Sequence, residues 1–141
     1  MSQHGLPVFE STLQTSYGWL NDLMEELGWT DRHRAYQALR AVLHSVRNRL
    51  TVDEAADLGA QLPMLLRGMY YEGWVPADTP VPGRSREDFL LPISESLHAH
   101  PEVMPEEVVW AVFKVLEKHV SWGEMSDVKA MLPDKIRALC P

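Results

Sequence analysis

The chain has 141 residues, of which 45% are hydrophobic, so it can bury the core of one ordinary domain. Its formal net charge is −7, from 13 Lys and Arg against 20 Asp and Glu. Residues 1–75 carry 6 basic and 9 acidic groups and residues 76–141 carry 7 and 11, so neither half is basic. This balance argues against a nucleic-acid binder, which needs a cationic surface.

Cys140 is the only cysteine, which excludes an internal disulfide and a multi-cysteine metal site and fits a reducing cytoplasm. Residues 1–7 read as a flexible lead-in, and the N-terminus has no basic region before an apolar run, so we expect no signal peptide. The apolar segments are shorter than the roughly 20 residues that cross a bilayer. We therefore expect a cytoplasmic single domain with no membrane partner.

Two long helices are predicted at the start of the chain. In the first, apolar residues recur three or four apart until Gly28, which tolerates the positive φ of a helix C-cap: Phe9, Leu13, Tyr17, Leu20, Met24 and Leu27. The second begins after Thr30 or Asp31 and carries the same spacing in Ala35, Leu39, Val42, Leu43, Val46 and Leu50. Its other face, which we expect to be solvated, carries Arg40, Arg47 and Arg49.

A capping box and a proline divide the residues that follow. Thr51 and Glu54 have the spacing of a capping box, in which the hydroxyl accepts from the later amide and the glutamate reaches back. Pro63 suits the first turn of a helix and disfavours helix before it, so we predict a short helix, a break and a new helix over residues 63–72. Residues 75–83 contain three prolines and a glycine and predict an extended linker.

The second half has the same landmarks in the same order. Ser85 caps a predicted helix, Pro105 opens a longer one, Ser121 begins a second capping box, and Pro133 restarts a short helix that runs to Leu139. The valines of the longer helix also suit a strand, but their helical spacing and the Pro-Glu-Glu start favour a helix: Val108, Val109, Val112, Phe113, Leu116 and Val120.

These landmarks predict an internal repeat. Residues 17–70 align with residues 87–140 at a constant offset of 70 without a gap, and the two capping boxes fall in register. The identical positions are Leu20/Leu90, Glu25/Glu95, Leu27/Leu97, Ala41/Ala111, Val42/Val112, Glu54/Glu124, Asp57/Asp127, Ala60/Ala130, Leu62/Leu132, Pro63/Pro133 and Arg67/Arg137.

The repeat predicts the fold class. We expect an all-α protein that forms a single helical bundle of about eight helices, built from two tandem four-helix repeats related by a pseudo-two-fold axis. Repeat one would span about residues 9–74, the proline-rich linker residues 75–85, and repeat two about residues 86–140. One unit of about 55 residues would be marginally stable alone, so the two would share a core.

The sequence also resembles a known family. The run from Gln61 to Trp74, preceded by the run from Arg49 to Ala55, is similar to the bacterial domain-of-unknown-function family 2267, and the similarity covers residues 10–140. The resemblance implies a small, all-helical prokaryotic cytoplasmic protein. It implies no particular activity and no catalytic residues.

The residues from 67 to 74 hold the densest aromatic cluster and are our candidate ligand or partner surface. Helical spacing lets an arginine stack on a tyrosine there, and Tyr, Trp and Arg dominate interface hot spots. The alternative is that the aromatics clamp the linker between the repeats. The second repeat keeps Arg137 but has no counterpart to the tyrosines, which leaves room for function in Arg67, Tyr70, Tyr71, Glu72 and Trp74.

The polar motifs elsewhere favour structural roles. His98 and His100 in a predicted loop are a weak metal signal, and His44 and His119 lack a ligand partner at metal-site spacing, so we expect no metal site. The acidic pairs suit helix caps and N-termini, and Asp57 and Asp127 would serve the helical scaffold or pair with the repeated arginines, which are Arg67 and Arg137.

The remaining tryptophans and the cysteine give two further expectations. Trp19, Trp29, Trp110 and Trp122 are core or, alternatively, part of a dimer surface, and Cys140 has no base partner that would make it a nucleophile. The sequence contains no phosphate-binding loop, dinucleotide fingerprint or catalytic triad spacing, so we predict no cofactor and leave enzymatic activity undecided.

The leading interpretation is a non-enzymatic binding or protein-interaction module that forms a homo-oligomer or binds a protein partner. The alternative is a small-ligand sensor or enzyme with a pocket between the repeats, which would use Arg67, Tyr71 and Glu72.

Overall fold

The computed structural model describes residues 5–141, which form eight α-helices, one 3-10 turn and no strand. This confirms the predicted all-α class. The helices are α1 (Pro7–Leu27), α2 (Arg32–Arg47), α3 (Val52–Ala60), α4 (Met64–Tyr71), α5 (Arg86–Ser96), α6 (Pro105–His119), α7 (Trp122–Met131) and α8 (Asp134–Arg137), and the 3-10 turn is Pro76–Asp78.

The second helix lies at the centre of the bundle. It packs against α1, α4, α5 and α6, so few of its residues reach solvent. Nine of its residues are buried because helices cover it on several sides: Ala35, Ala38, Leu39, Ala41, Val42, Leu43, Ser45, Val46 and Arg47.

The expectation of a solvated arginine face on α2 is wrong for Arg47 and only partly right for its neighbours. Arg47 is 3% exposed, and its Nη1 donates to the carbonyls of Tyr70 at 2.7 Å and Glu72 at 2.8 Å. Arg49 is partly buried and donates to the Ser45 carbonyl at 3.0 Å. The reason is tertiary, since the C-terminal end of α4 brings free carbonyls to this face and a guanidinium can satisfy several acceptors.

The helix ends lie close to where the sequence predicts them. Gly28 has φ 68° and ends α1, and the Asp31 side chain accepts from the amide of Arg34 at the start of α2. Pro63 and Pro133 directly precede α4 and α8, as expected. Helix α8 is shorter than predicted, because the chain after Arg137 continues in turns.

Each predicted capping box is half formed. The hydroxyls of Thr51 and Ser121 accept from the amides of Glu54 and Glu124, both at 3.2 Å. Within residues 5–141 neither glutamate side chain returns a bond to its cap residue. Both side chains are instead buried where α3 packs against α7.

The segments outside the long helices differ from expectation in detail. Residues 1–4 of the predicted lead-in lie outside the described residues, and α1 already begins at Pro7. The predicted linker contains the single turn Pro76–Asp78, which begins with a proline whose ring fixes a helical φ. In the described part of the chain, no helix combines the length and hydropathy needed to cross a membrane.

Candidate functional site

Arg67 holds the C-terminal end of α3. Its Nε donates to the carbonyl of Gly59 at 3.0 Å, and its Nη2 donates to the carbonyls of Ala60 at 3.4 Å and Leu62 at 3.0 Å. These are the carbonyls that a helix leaves free at its end. Arg67 therefore connects α4 to the C-terminal end of α3. The expected salt bridge between Arg67 and Asp57 is not formed among the described residues.

Arg137 has a comparable position at the end of α7. Its Nη1 lies 3.4 Å from the carbonyl of Lys129, and its Nη2 pairs with the carboxylate of Asp134. The expected pairing of Asp127 with Arg137 is likewise not formed in the described residues. Both arginines thus contact main-chain carbonyls at the ends of α3 and α7.

The aromatic residues of α4 pack over α3. Tyr70 is 0% exposed, its hydroxyl donates to the carbonyl of Ala55 at 2.8 Å, and burial raises its pKa well above the ordinary value. The ring of Tyr71 lies edge-on to Tyr70 with centroids 5.0 Å apart, and 5.3 Å from the ring of Trp74. A Cβ at Gly59 would lie 2.3 Å from the Tyr71 hydroxyl oxygen, so only glycine fits beneath this ring.

The five candidate residues therefore do not share one surface. Tyr70 is in the core, while Arg67, Tyr71 and Trp74 are partly buried. Glu72 is exposed, its Oε1 lies 3.6 Å from Nε of Arg40, and it lines a groove on the other side of α4.

That groove lies between α1, α2 and α4 and has a volume of about 680 Å³. Most of its wall is apolar, and polar groups stand at its rim. Its lining residues are Leu13, Ser16, Tyr17, Leu20, Arg32, His33, Tyr36, Leu65, Leu66, Gly68, Met69 and Glu72.

The groove continues towards the N-terminus of α1. A second groove of about 400 Å³ shares Leu13, Leu65 and Gly68 with the first and adds Phe9, Thr12 and Met64. We call the two together the α1–α4 trough. Its apolar side chains are unusually exposed, with Phe9 60%, Leu13 43%, Tyr17 41%, Met64 51% and Leu65 51% accessible.

Sequence reasoning missed this trough, although the sequence carries a signal for it. Phe9, Leu13 and Tyr17 belong to the same helical stripe as Leu20, which is buried, so the stripe is covered towards its C-terminal end and exposed towards its N-terminal end. A stripe that extends past the core leaves more apolar area than the core covers. Periodicity alone does not say which part of a stripe is covered.

One polar atom inside the trough is unsatisfied. Ser16 is 3% exposed and lines the wider groove, and its Oγ has no hydrogen-bond partner among residues 5–141. Close by, the guanidinium of Arg32 lies over the ring of Tyr17 at 4.6 Å. The trough can thus receive an apolar group and offers it a hydroxyl and a cation.

A second unusual feature lies where α3 meets α7. Glu54 and Glu124 are 8% and 7% exposed, and Oε1 of each has no hydrogen-bond partner in the described part of the chain. One carboxylate oxygen from each of Glu54, Asp57 and Glu124 lies within 4.8 Å of the other two. The sequence carries a signal for this group, since Glu54 and Glu124 are 70 residues apart at matching positions of the predicted repeat, but helix capping is a sufficient explanation for both.

This environment changes the acidity of Glu124. Burial and the negative charges of Glu54, Asp57 and Asp127 together raise its pKa from 4.5 to about 8. A carboxyl group with these neighbours holds a proton near neutral pH, because two adjacent carboxylates in a low dielectric repel each other.

In the described part of the chain, no histidine belongs to a cluster of potential metal ligands. Nε2 of His44 lies 2.8 Å from the Met69 carbonyl, and burial lowers its pKa. His119 bonds to Asp22 at 2.6 Å and stacks on Trp19 at 4.7 Å. The predicted loop holds His98 and His100, and neither belongs to the carboxylate group at α3 and α7.

The tryptophans and the cysteine divide between core and surface. Trp19 is buried as expected, and Trp29 is partly buried against the core. Trp110 and Trp122 are 42% and 85% exposed, so the core position expected for them is wrong. The alternative position, in a dimer surface, stays a prediction. Burial raises the pKa of Cys140 to about 11, which disfavours the nucleophilic thiolate.

The fold and these sites define an all-α protein with an apolar trough beside its N-terminal helix. Residues 16–139 match the sequence profile of a family described as "Uncharacterized conserved protein (DUF2267)". The chain belongs to this family, which confirms the resemblance. No curated protein matches the sequence.

The buried hydroxyl of Tyr70 gives a prediction about stability. Tyr70→Phe should lower the free energy of unfolding by about 1–2 kcal/mol, because it removes the buried hydrogen bond from the tyrosine hydroxyl to the Ala55 carbonyl. Tyr71→Phe, the control on the adjacent residue, should cost less than about 0.5 kcal/mol. Urea unfolding followed by circular dichroism measures both, and equal losses would contradict the assignment.

The protonation of Glu124 gives a prediction about pH. The unfolded chain releases this proton near pH 4.5 and the folded chain near pH 8, so between these values the folded state binds more protons and stability falls as pH rises. The Glu124→Gln variant has no carboxyl group to ionise at this position. The melting temperature of the variant minus that of the wild type should therefore increase as the pH is raised from about 4.5 to about 8.

Thermal unfolding across this pH range at constant ionic strength checks the prediction. Glu25→Gln, which changes an exposed glutamate of α1, should follow the wild type at every pH. A constant difference between Glu124→Gln and the wild type would show that Glu124 does not titrate in this range.

Proposed function

We propose that the protein is a non-enzymatic interaction module and that the α1–α4 trough binds the same trough of a second copy. The observation that carries the proposal is the continuous run of exposed apolar side chains on α1 and α4. A patch of this kind on a monomeric protein usually marks an interaction site.

The chain itself supplies an occupant for the trough. On α1, Leu6, Phe9, Leu13 and Tyr17 follow one another three or four residues apart, so they share one face. A two-fold axis near Leu13 would lay this face antiparallel across its copy, which is the self-complementary geometry of an isologous dimer.

The available area suits a modest dimer. At roughly 100 Å² for each half-exposed apolar side chain, six of them supply about 600 Å² per copy and about 1,200 Å² in total, the lower end of the range for stable interfaces. The six are Leu6, Phe9, Leu13, Tyr17, Met64 and Leu65.

The charges in this region are compatible with the arrangement. Glu10 is the one charged residue between Pro7 and Leu20, so two copies of this segment meet without repeated like charges. An antiparallel crossing near Leu13 brings Glu10 of one copy to within about one helical turn of the partner's Tyr17, over which the partner's Arg32 lies. The two-fold axis would then place Glu10 of each copy near Arg32 of the other, so that two contacts between opposite charges form.

The five residues of the original candidate surface have a narrower role in this proposal. Glu72 reaches the rim of the trough, and Arg67, Tyr70, Tyr71 and Trp74 keep α4 against α3 so that α4 can form the opposite wall. A partner-binding role for the five together stays a prediction, as do the cytoplasmic location and the bacterial origin.

Leu13→Glu and Leu65→Glu should each convert a dimer into a monomer, because each places a charge in the apolar interface. Light scattering on a size-exclusion column, loaded at about 200 μM protein, measures the mass of each variant. Leu91→Glu changes a leucine that is 59% exposed on α5 and should leave the mass unchanged.

The charge contact has a separate test in the same experiment. Glu10→Arg and Arg32→Glu should each weaken the dimer, and the double variant should restore it. A wild type that remains monomeric at this concentration overturns the proposal, and a dimer unaffected by both leucine variants places the interface elsewhere.

A small-ligand sensor is the second candidate, and the unpartnered Oγ of Ser16 favours it. The ligand would be an apolar molecule with one hydrogen-bonding group, held by the trough within the first half of the chain. This differs from the predicted pocket between the repeats, because the wider groove is lined by α1, α2 and α4 alone.

A medium-chain fatty acid is a suitable probe for this candidate. It should raise the melting temperature of the wild type, and Ser16→Ala should reduce that shift by about threefold or more, because the hydroxyl loses its hydrogen bond to the ligand. Ser45→Ala, whose hydroxyl donates to the Phe89 carbonyl away from the trough, is the control. No shift for the wild type would remove this candidate.

We also infer that the two halves are copies related by a pseudo-two-fold axis, with the repeat bounds predicted above. At the offset of 70 residues, α2 corresponds to α6 and α1 corresponds to α5. The contact between α2 and α5 therefore corresponds to the contact between α6 and α1, and both contacts occur. The offset of 70 likewise exchanges the bond between Gln61 and Ser121 with that between Met131 and Thr51, and both occur. These paired contacts support the inference.

A further inference from the structure

The carboxylates at the junction of α3 and α7 are unusual for a protein interior. Two glutamates, one from each half of the chain, are more than nine-tenths buried, and an oxygen of each lacks any hydrogen-bond partner within residues 5–141. A buried and unsatisfied carboxylate oxygen is costly, and two of them facing each other are more so. In folded proteins such oxygens are satisfied by a donor, an opposite charge or a metal ion.

Nearby cations do not satisfy this group. The arginines that follow α3 and α7, Arg67 and Arg137, donate instead to main-chain carbonyls at the ends of these helices. Lys129 of α7 pairs with Glu117. The negative charge at the junction is therefore not neutralised by these side chains.

The spacing of the carboxylates suits a single ion. One oxygen from each of Glu54, Asp57 and Glu124 lies within 4.8 Å of the others, which is the separation of two ligands on opposite sides of a Ca²⁺ ion with bonds of about 2.4 Å. Asp57 follows Glu54 by three residues, and Asp127 follows Glu124 by three, so each helix presents a Glu-x-x-Asp pair on one face.

An ion could reach the group from solvent. Asp57 and Asp127 are exposed, while Glu54 and Glu124, one helical turn before them, are buried. The aspartates thus form an acidic mouth above two buried ligands. An ion entering there would lose part of its water shell and keep the remainder on the solvent side.

We propose that Glu54, Asp57 and Glu124, with Asp127 at the mouth, bind a hard divalent cation that joins the two halves of the protein. The donors are all carboxylate oxygens, which suit Ca²⁺, Mg²⁺ and Mn²⁺, whereas Zn²⁺ prefers histidine and cysteine. The ion crosslinks α3 and α7, since each helix contributes one buried glutamate.

Isothermal titration calorimetry and thermal unfolding, on chelator-treated protein near neutral pH, test this site with CaCl₂, MgCl₂ and MnCl₂. At least one of the three should bind with a stoichiometry near one per chain and raise the melting temperature. ZnCl₂ serves as the comparison ion.

Glu124→Gln and Glu54→Gln are nearly isosteric and should weaken the binding by at least about tenfold. In the absence of metal each should be as stable as the wild type or more so, because a glutamine at this buried position is neutral without a bound proton or cation. This combination distinguishes a ligand from a residue that is needed only for folding. Glu25→Gln, an exposed change on α1, should leave binding intact.

Asp57→Asn with Asp127→Asn tests the mouth without altering the buried pair, and should weaken binding with little effect on the metal-free stability. The proposal is overturned if no ion at concentrations up to about 10 mM binds or stabilises the wild type. It is also overturned if the Glu124 and Glu54 variants bind as well as the wild type does.

Discussion

The burial of α2 is the constraint on which the rest of the structure depends. Because α2 packs against α1, α4, α5 and α6, helices from both halves of the chain share its surface. Its small and branched residues, such as Ala38 and Val42, are 0% exposed, so neighbouring helices approach closely around it. Helices from both halves of the chain therefore contribute to one core around α2.

The position of α4 follows from this burial. Arg47 at the end of α2 donates to two carbonyls at the end of α4, and Arg67 donates to the end of α3, so the short helix is held at both sides by guanidinium groups. Tyr70 adds a buried hydrogen bond to Ala55. With α4 held there, Met64 and Leu65 line the trough with Phe9 and Leu13 of α1, and the trough exists because the core does not cover this part of the α1 stripe.

The α1–α4 trough and the carboxylate group between α3 and α7 affect the stability of the folded protein differently. The trough is an apolar surface left uncovered, so it costs the folded protein little until a partner covers it. The carboxylate group is polar and buried, so it opposes folding unless a proton or a cation compensates it. Because its pKa is raised, Glu124 can hold a proton that compensates the buried charge. The oxygens of Glu54, Asp57 and Glu124 are also close enough together to bind a hard cation.

Much of this protein is determined by local sequence. The helix spacing, Gly28, the capping hydroxyls of Thr51 and Ser121, and the proline before each short helix predict the helical class and most boundaries, because these effects act within one or two turns. Only the tertiary structure decided which side chains are buried and which are exposed. Arg47 and Glu54 are charged residues that local rules assign to solvent or to a cap, yet both are buried, and the stripe from Phe9 to Tyr17 is apolar yet exposed. Whether a residue is covered depends on helices distant in the sequence, and periodicity carries no information about which part of an apolar stripe meets them.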